Sequence, residues 1–341
     1  MSQKEKHPEY AIWLHALGYF LAYAPYSALT KVVSEGRLPG MQRGLSGFEL
    51  LPLSTFASLV GMFVFLTLKG WWKYASHRQI GSRSWPCPTR YTFLSGLCSA
   101  AIIGTTTFAY TIQGASIVFM MLLMRGGVLA IAPIVDLVTK REVRVTSWIA
   151  LVLSLGALIT AVTGGSSFAL TLVATLDVLI YLVAYFVRLR FMSRLAKSDR
   201  TADMLRYFVE EQMIATPAIV TFLGLLALVG QGDAMMQVRY GFTTLLGLGP
   251  MVVGASVLVG IFSQGTGIFG ALILLDGREN TFCVPVNRAS SVLAGLVATY
   301  TLYLALGTKP VPARELLGAG LVLCAIVVLA WRQKKSVGKT S

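Results

Sequence analysis

Charge is scarce in this 341-residue chain: Asp, Glu, Lys and Arg together make up 13% of it. Soluble domains carry about a quarter of their residues as charge, so two ordinary water-facing domains are excluded. Histidine occurs three times (His7, His15, His77), and none stands four residues before an aspartate. With no HExxH and no clustered aspartates, the ligand sets of metal-dependent membrane enzymes are missing. The four cysteines form no CxxC, which argues against a zinc site or a disulfide framework. No P-loop is present, so nucleotide hydrolysis is not implied, and no cofactor is expected. Polar sequence is short as well. The longest polar connection, "KGWWKYASHRQIGSRSWPCPTR", covers only residues 69–90.

Apolar sequence is abundant: 55% of the chain, with 33 glycines. A bilayer core takes about 20 mostly apolar residues per helical span. Ten windows meet that length: 11–32, 50–70, 91–112, 115–138, 146–163, 170–190, 207–230, 246–274, 281–304 and 314–332. The expected fold is therefore an all-α integral membrane protein of ten transmembrane helices. The short basic lead lacks a small-residue cleavage site, so the first window is expected to be retained.

The net charge of +14 is a matter of placement. With the N-terminus in the cytoplasm and ten alternating spans, 21 Lys and Arg fall on the inner side and six on the outer side. That asymmetry follows the positive-inside rule and sets both termini in the cytoplasm, as in a bacterial inner membrane. Membrane lipid and a small solute are the expected partners; nucleic acid is not.

The chain also repeats itself. "YFLAY" at Tyr19–Tyr23 returns as "YLVAY" at Tyr181–Tyr185, 162 positions later. The same offset maps Asp177 onto His15 and Glu211 onto Glu49, and one further position maps Arg288 onto Arg125. Two five-helix copies, 1–165 and 166–341, are expected. Five being odd, the second copy crosses the membrane in the inverted sense. Inverted repeats build transporters with a site near the midplane.

The stretch "GASIVFMMLLMRGGVLAIAPIVDLVTKREV" followed by "SWIALVLSLGALITAV" resembles the fourth and fifth helices of the drug/metabolite transporter (DMT) superfamily. "LYLALGTKPVPARELLGAGLVLCAIVVLA" is similar to its ninth and tenth. The run "MLLMRGGVLAIAPIVDL" looks most like the EamA-like branch near the nucleotide-sugar carriers. The resemblance implies secondary transport by alternating access. Where the superfamily commonly has Gly-Glu at the ends of helices four and nine, this chain reads "TKRE" and "LGTK", so no role of that glutamate carries to the second half.

Candidate site residues fall on helix faces. His15, Tyr19, Tyr23 and Tyr26 follow steps of four, four and three, and Asp177, Tyr181, Tyr185 and Arg188 repeat the pattern. Such stripes line a cavity or pack between helices. Arg125 and Arg288 lie deep in their windows, where an unpaired guanidinium is costly. They bind substrate, or they pair with Glu49 and Glu211 as two alternating gates. Deep arginines favour an anionic solute, and the aromatic stripes equally suit an organic cation. Asp177, Glu210 and Glu211 are candidates for proton coupling, although Glu210 reads better as an ionised boundary residue. "GTTTFAYTIQGAS" and "SQGTGIFGA" are expected to soften helices three and eight. The expected activity is secondary transport of a small polar or amphipathic metabolite, with exchange or proton coupling. The alternatives are a lipid or lipid-linked-sugar flippase and, last, a membrane-embedded enzyme.

Overall fold

Long apolar runs without an internal polar break become long helices, because a helix satisfies all its own backbone groups. The computed structural model describes residues 10–80, 82–109, 117–162, 172–197 and 200–307, with the helical residues 316, 317, 320, 321, 323–325, 327 and 328. The helices are α1 (Ala11–Ser34), α2 (Gly47–Leu68), α3 (Arg90–Ala109), α4 (Ile117–Val138), α5 (Val145–Val162), α6 (Leu172–Leu195), α7 (Thr201–Val229), α8 (Gly232–Thr243), α9 (Pro250–Leu275) and α10 (Asn280–Leu306). All but α8 coincide with an apolar window of the sequence. Four of them, α2, α7, α9 and α10, are long and apolar enough across their described residues to cross a membrane.

Two elements were not anticipated. The 12-residue α8 sits between the seventh and eighth windows. It begins where Gly230, left-handed at φ 59°, caps the end of α7. The 69–90 connection is also ordered: a 3₁₀ turn at Trp71–Tyr74 precedes an antiparallel hairpin, β1 (His77–Ile80) with β2 (Arg83–Pro86). Trp71 meets Phe208 of α7 edge-on at 5.8 Å, which folds the connection back onto the helices. The expected soft point "SQGTGIFGA" lies inside α9, which runs through it unbroken. Its counterpart in α3 extends beyond the described residues.

The distribution of polarity is the reverse of a soluble bundle. Leu14, Leu17 and Leu21 of α1, Phe56 and Val60 of α2, and Leu179, Ile180 and Val183 of α6 are exposed. Ser95, Asp136, Glu210 and Glu211 are 0% exposed, or nearly so, in the interior. Lipid rewards this arrangement, since it leaves apolar side chains outside and lets buried polar groups find one another.

Packing follows a reciprocal pattern. α1 lies against α9 and α10, whereas α6 lies against α3 and α4. α2 packs on α9, α7 packs on α3, and α2 meets α7. The closest crossings use glycine. A Cβ on Gly260 of α9 would strike the Ser54 carbonyl of α2. A Cβ on Gly96 of α3 would lie 2.9 Å from the Glu211 carbonyl of α7.

Candidate functional site

The tyrosine faces of α1 and α6 are buried and come together at α10. Tyr19, Tyr181 and Tyr185 are 7%, 4% and 8% exposed. On α1 the Tyr19 and Tyr23 rings stack at 5.6 Å, and Tyr26 meets Tyr23 edge-on at 5.7 Å. On α6 the Tyr181 and Tyr185 rings lie 4.8 Å apart. Both contacts follow from four-residue spacing, which stacks side chains along one helix face. The Arg288 guanidinium of α10 lies 5.4 Å from the Tyr185 ring centroid. It also acts electrostatically on Tyr181 and Tyr19, so one cation lies within electrostatic reach of tyrosines from two helices.

Arg288 has no carboxylate within ion-pair distance among the described residues, and its Nε has no hydrogen-bond partner there. The expected Arg288–Glu211 pair does not form. Glu211 of α7 is taken by Arg188 of α6. Arg188 Nε and Nη2 donate to its two oxygens at 2.8 and 2.9 Å, the two-point geometry that suits a guanidinium fork. Ser95 and Ser99 Oγ of α3 donate to the same carboxylate at 2.6 and 3.1 Å. Ser95 has one proton and gives it to Glu211, so the Tyr207 hydroxyl donates to Ser95 at 2.5 Å.

The sequence underweighted Arg188, which counts there as one of the cytoplasmic loop charges. The structure places it inside α6 at 8% exposure. Its place on the α6 stripe, three residues after Tyr185, is legible in the sequence; its pairing with Glu211 is not. Ser95, Ser99 and Tyr207 were missed because serines four apart on an apolar helix look like small-residue packing.

Glu49 does not mirror Glu211. It lies in the first turn of α2, where it forms a capping box with Ser46 and binds Arg43 at 2.6 and 2.8 Å. Glu211 is eleven residues into α7. The Arg125 backbone belongs to α4, but its side chain falls outside the described residues, so no pairing with Glu49 is described. His15 is half-buried on α1. Asp177 is 5% exposed, and its Oδ2 has no hydrogen-bond partner among the described residues.

Two other buried carboxylates are fully engaged in holding the fold. Glu210, read from the sequence as a boundary residue in wet headgroups, is 0% exposed. It accepts from the Ser76 and Thr89 amides, the Ser76 and Thr92 hydroxyls and Arg206 at 2.6–3.0 Å. Asp136 of α4 accepts from the Asn280 and Thr281 amides at 2.9 and 2.7 Å, which caps the start of α10 from another helix.

No protein-family model matches the sequence, and no curated protein matches it. A solved structure described only as "Crystal structure of protein" has the same fold, with a TM-score of 0.57. The match covers 96% of this chain and 99% of that one at 14% identity. At that identity the likeness speaks for the fold alone.

Proposed function

We propose that the chain is a ten-span integral membrane protein that carries a small solute with an anionic group by alternating access. Residues 1–165 and 166–341 form two inverted five-helix copies. The observation that carries this reading is Arg288, a deep cation with no carboxylate partner among the described residues, set against tyrosines from both halves. A guanidinium cannot lose its proton, so at depth it calls for an anion. A carboxylate or phosphate on the solute supplies one. The tyrosine rings add cation–π contact while the site is empty.

Helix packing supports the two-copy reading. Counting the long helices only, α3 and α4 are third and fourth in the first half, and α9 and α10 are third and fourth in the second. α1 packs on the second pair and α6 on the first, so exchanging the halves leaves the contact pattern unchanged. The Gly260–Ser54 and Gly96–Glu211 crossings exchange in the same way. That relation aligns Glu211 with Ser54 rather than with Glu49. The extra α8 is then an insertion in the second copy.

The test is uptake by purified protein in proteoliposomes, using a panel of labelled carboxylates and phosphate esters, with and without a pH gradient. Saturable uptake of one anion, lost in Arg288→Ala and partly kept in Arg288→Lys, is the expected result. Uptake by Arg288→Ala equal to wild type overturns the role of Arg288. Movement of labelled lipid between leaflets, with no solute uptake, would favour the flippase instead.

A further inference from the structure

The proposed anion site has a second buried guanidinium close by, Arg188 of α6. Along one face of α6 stand Tyr181, Tyr185 and Arg188, and Tyr185 interacts electrostatically with both Arg288 and Arg188. Beyond Arg188 lies a surface cavity of about 350 Å³, lined by Thr89, Arg90, Leu195, Asp203 and Tyr207 among others. Tyr207 belongs to both regions: it borders the cavity and bonds to Ser95, which bonds to Glu211. The Arg188–Glu211 pair is thus linked to Tyr185 on one side and to the cavity-lining Tyr207 on the other. The equivalent position at the other end of the path is Tyr26, three residues after Tyr23. It packs beside the apolar cluster of Val33, Leu50, Leu245, Val252 and Val259. One stripe thus ends at an ion pair and the other at apolar packing.

Resting on the transport reading above, we propose that Arg188 is a second anion subsite, held in this conformation by Glu211 acting as an internal stand-in for the solute. A carboxylate or phosphate leaving Arg288 passes Tyr185 and takes the place of the Glu211 carboxylate, and the cavity beside Tyr207 is its exit. The chemistry is symmetrical: the fork that accepts two oxygens from Glu211 accepts two from a solute. The energetics set the order of events. Moving Glu211 away strands a buried guanidinium, so the inner path opens when an incoming anion replaces the lost charge. The expected consequence is a carrier that returns loaded, that is, an anion exchanger.

Cys98 provides a native reporter. It is half-buried on α3, within electrostatic reach of both Arg188 and Glu211. In protein with Cys87, Cys283 and Cys324 replaced by Ala, Cys98 is labelled by sulfonatoethyl methanethiosulfonate, which is anionic, and by its neutral hydroxyethyl analogue. Glu211→Gln is expected to raise the anionic-to-neutral rate ratio about tenfold or more, the scale on which a charged cleft concentrates counter-ions. Inorganic phosphate should then protect Cys98 from the anionic reagent. The neutral pair Arg188→Gln/Glu211→Gln strands no charge, and it should return the ratio to the wild-type value. A ratio unchanged in Glu211→Gln, or a rise that persists in the double variant, overturns the subsite. If Glu211→Gln does not fold, wild-type protein decides: benzoate or phosphate should speed neutral labelling of Cys98, and no acceleration counts against the proposal. Uptake measured on the same vesicles separates the two ideas. Intact uptake without anion preference at Cys98 sinks the subsite alone, and anion preference without uptake sinks transport alone.

Discussion

Arg288 and Tyr185 make opposite demands on substitution. If the ring face holds the cation in the empty site, Tyr185→Phe preserves the contact and Tyr185→Leu removes it. A desolvated cation–π contact is worth about 2 kcal/mol. The leucine variant should therefore lower the stability of the solute-free protein by about that amount, and phenylalanine by much less. Equal falls in the melting temperature of the solute-free protein would assign the effect to the hydroxyl. Glu210 makes a different residue-scale claim. Its five acceptor contacts tie the 69–90 connection to α7 at the wall of the cavity beside Tyr207. Glu210→Ala leaves two backbone amides and two hydroxyls without their acceptor. A loss of about 3–5 kcal/mol in stability is expected, read as a lower melting temperature in detergent.

At the scale of elements, two devices join helices that are distant in sequence. Asp136 reaches from α4 to the first amides of α10, 144 and 145 positions later. It is thus a helix cap supplied by a neighbouring helix. Asp136→Ala should cost about 2–4 kcal/mol, a cap together with buried donors left unsatisfied. Circular dichroism with thermal scanning would register it; an unchanged midpoint would show that water replaces the cap. The glycine crossings are the second device. Gly260→Leu drives a side chain into the Ser54 backbone, which cannot yield as a flexible side chain can. Destabilisation of about 1–3 kcal/mol is expected, whereas Gly254→Leu on the same helix meets open space and should be tolerated.

For the whole molecule, orientation is the main prediction. The 69–90 connection carries Lys69, Lys73, Arg78, Arg83 and Arg90, and the stretch 188–206, from the end of α6 into α7, carries Arg188, Arg190, Arg194, Lys197, Arg200 and Arg206. Both are expected on the cytoplasmic side. A cysteine introduced at Ser82, in the hairpin turn, should resist membrane-impermeant maleimide in intact cells and react in inverted vesicles. Labelling from outside would reverse the orientation, and with it the assignment of the Arg188–Glu211 pair to the inner end.

The apolar windows and the tyrosine stripes were legible in the sequence because both are local. A run of apolar residues becomes a helix wherever it lies, and spacings of three and four place side chains on one face before any other helix is considered. The same local rules put Tyr19, Tyr181 and Tyr185 on common faces and placed Arg288 deep in its helix. What they could not supply was the partner of each charge. Glu211 is 77 positions before Arg288 and 23 after Arg188, and spacing alone does not choose between them. The choice is made by α3, α6 and α7 meeting at the glycine crossing of Gly96, which brings Arg188, Ser95 and Ser99 onto one carboxylate. Arg288, on α10, is left to the tyrosines. Local sequence determined where the helices and their faces are; only tertiary packing decided which buried arginine meets a carboxylate and which meets tyrosines, because Coulombic partners at depth are set by which helices touch.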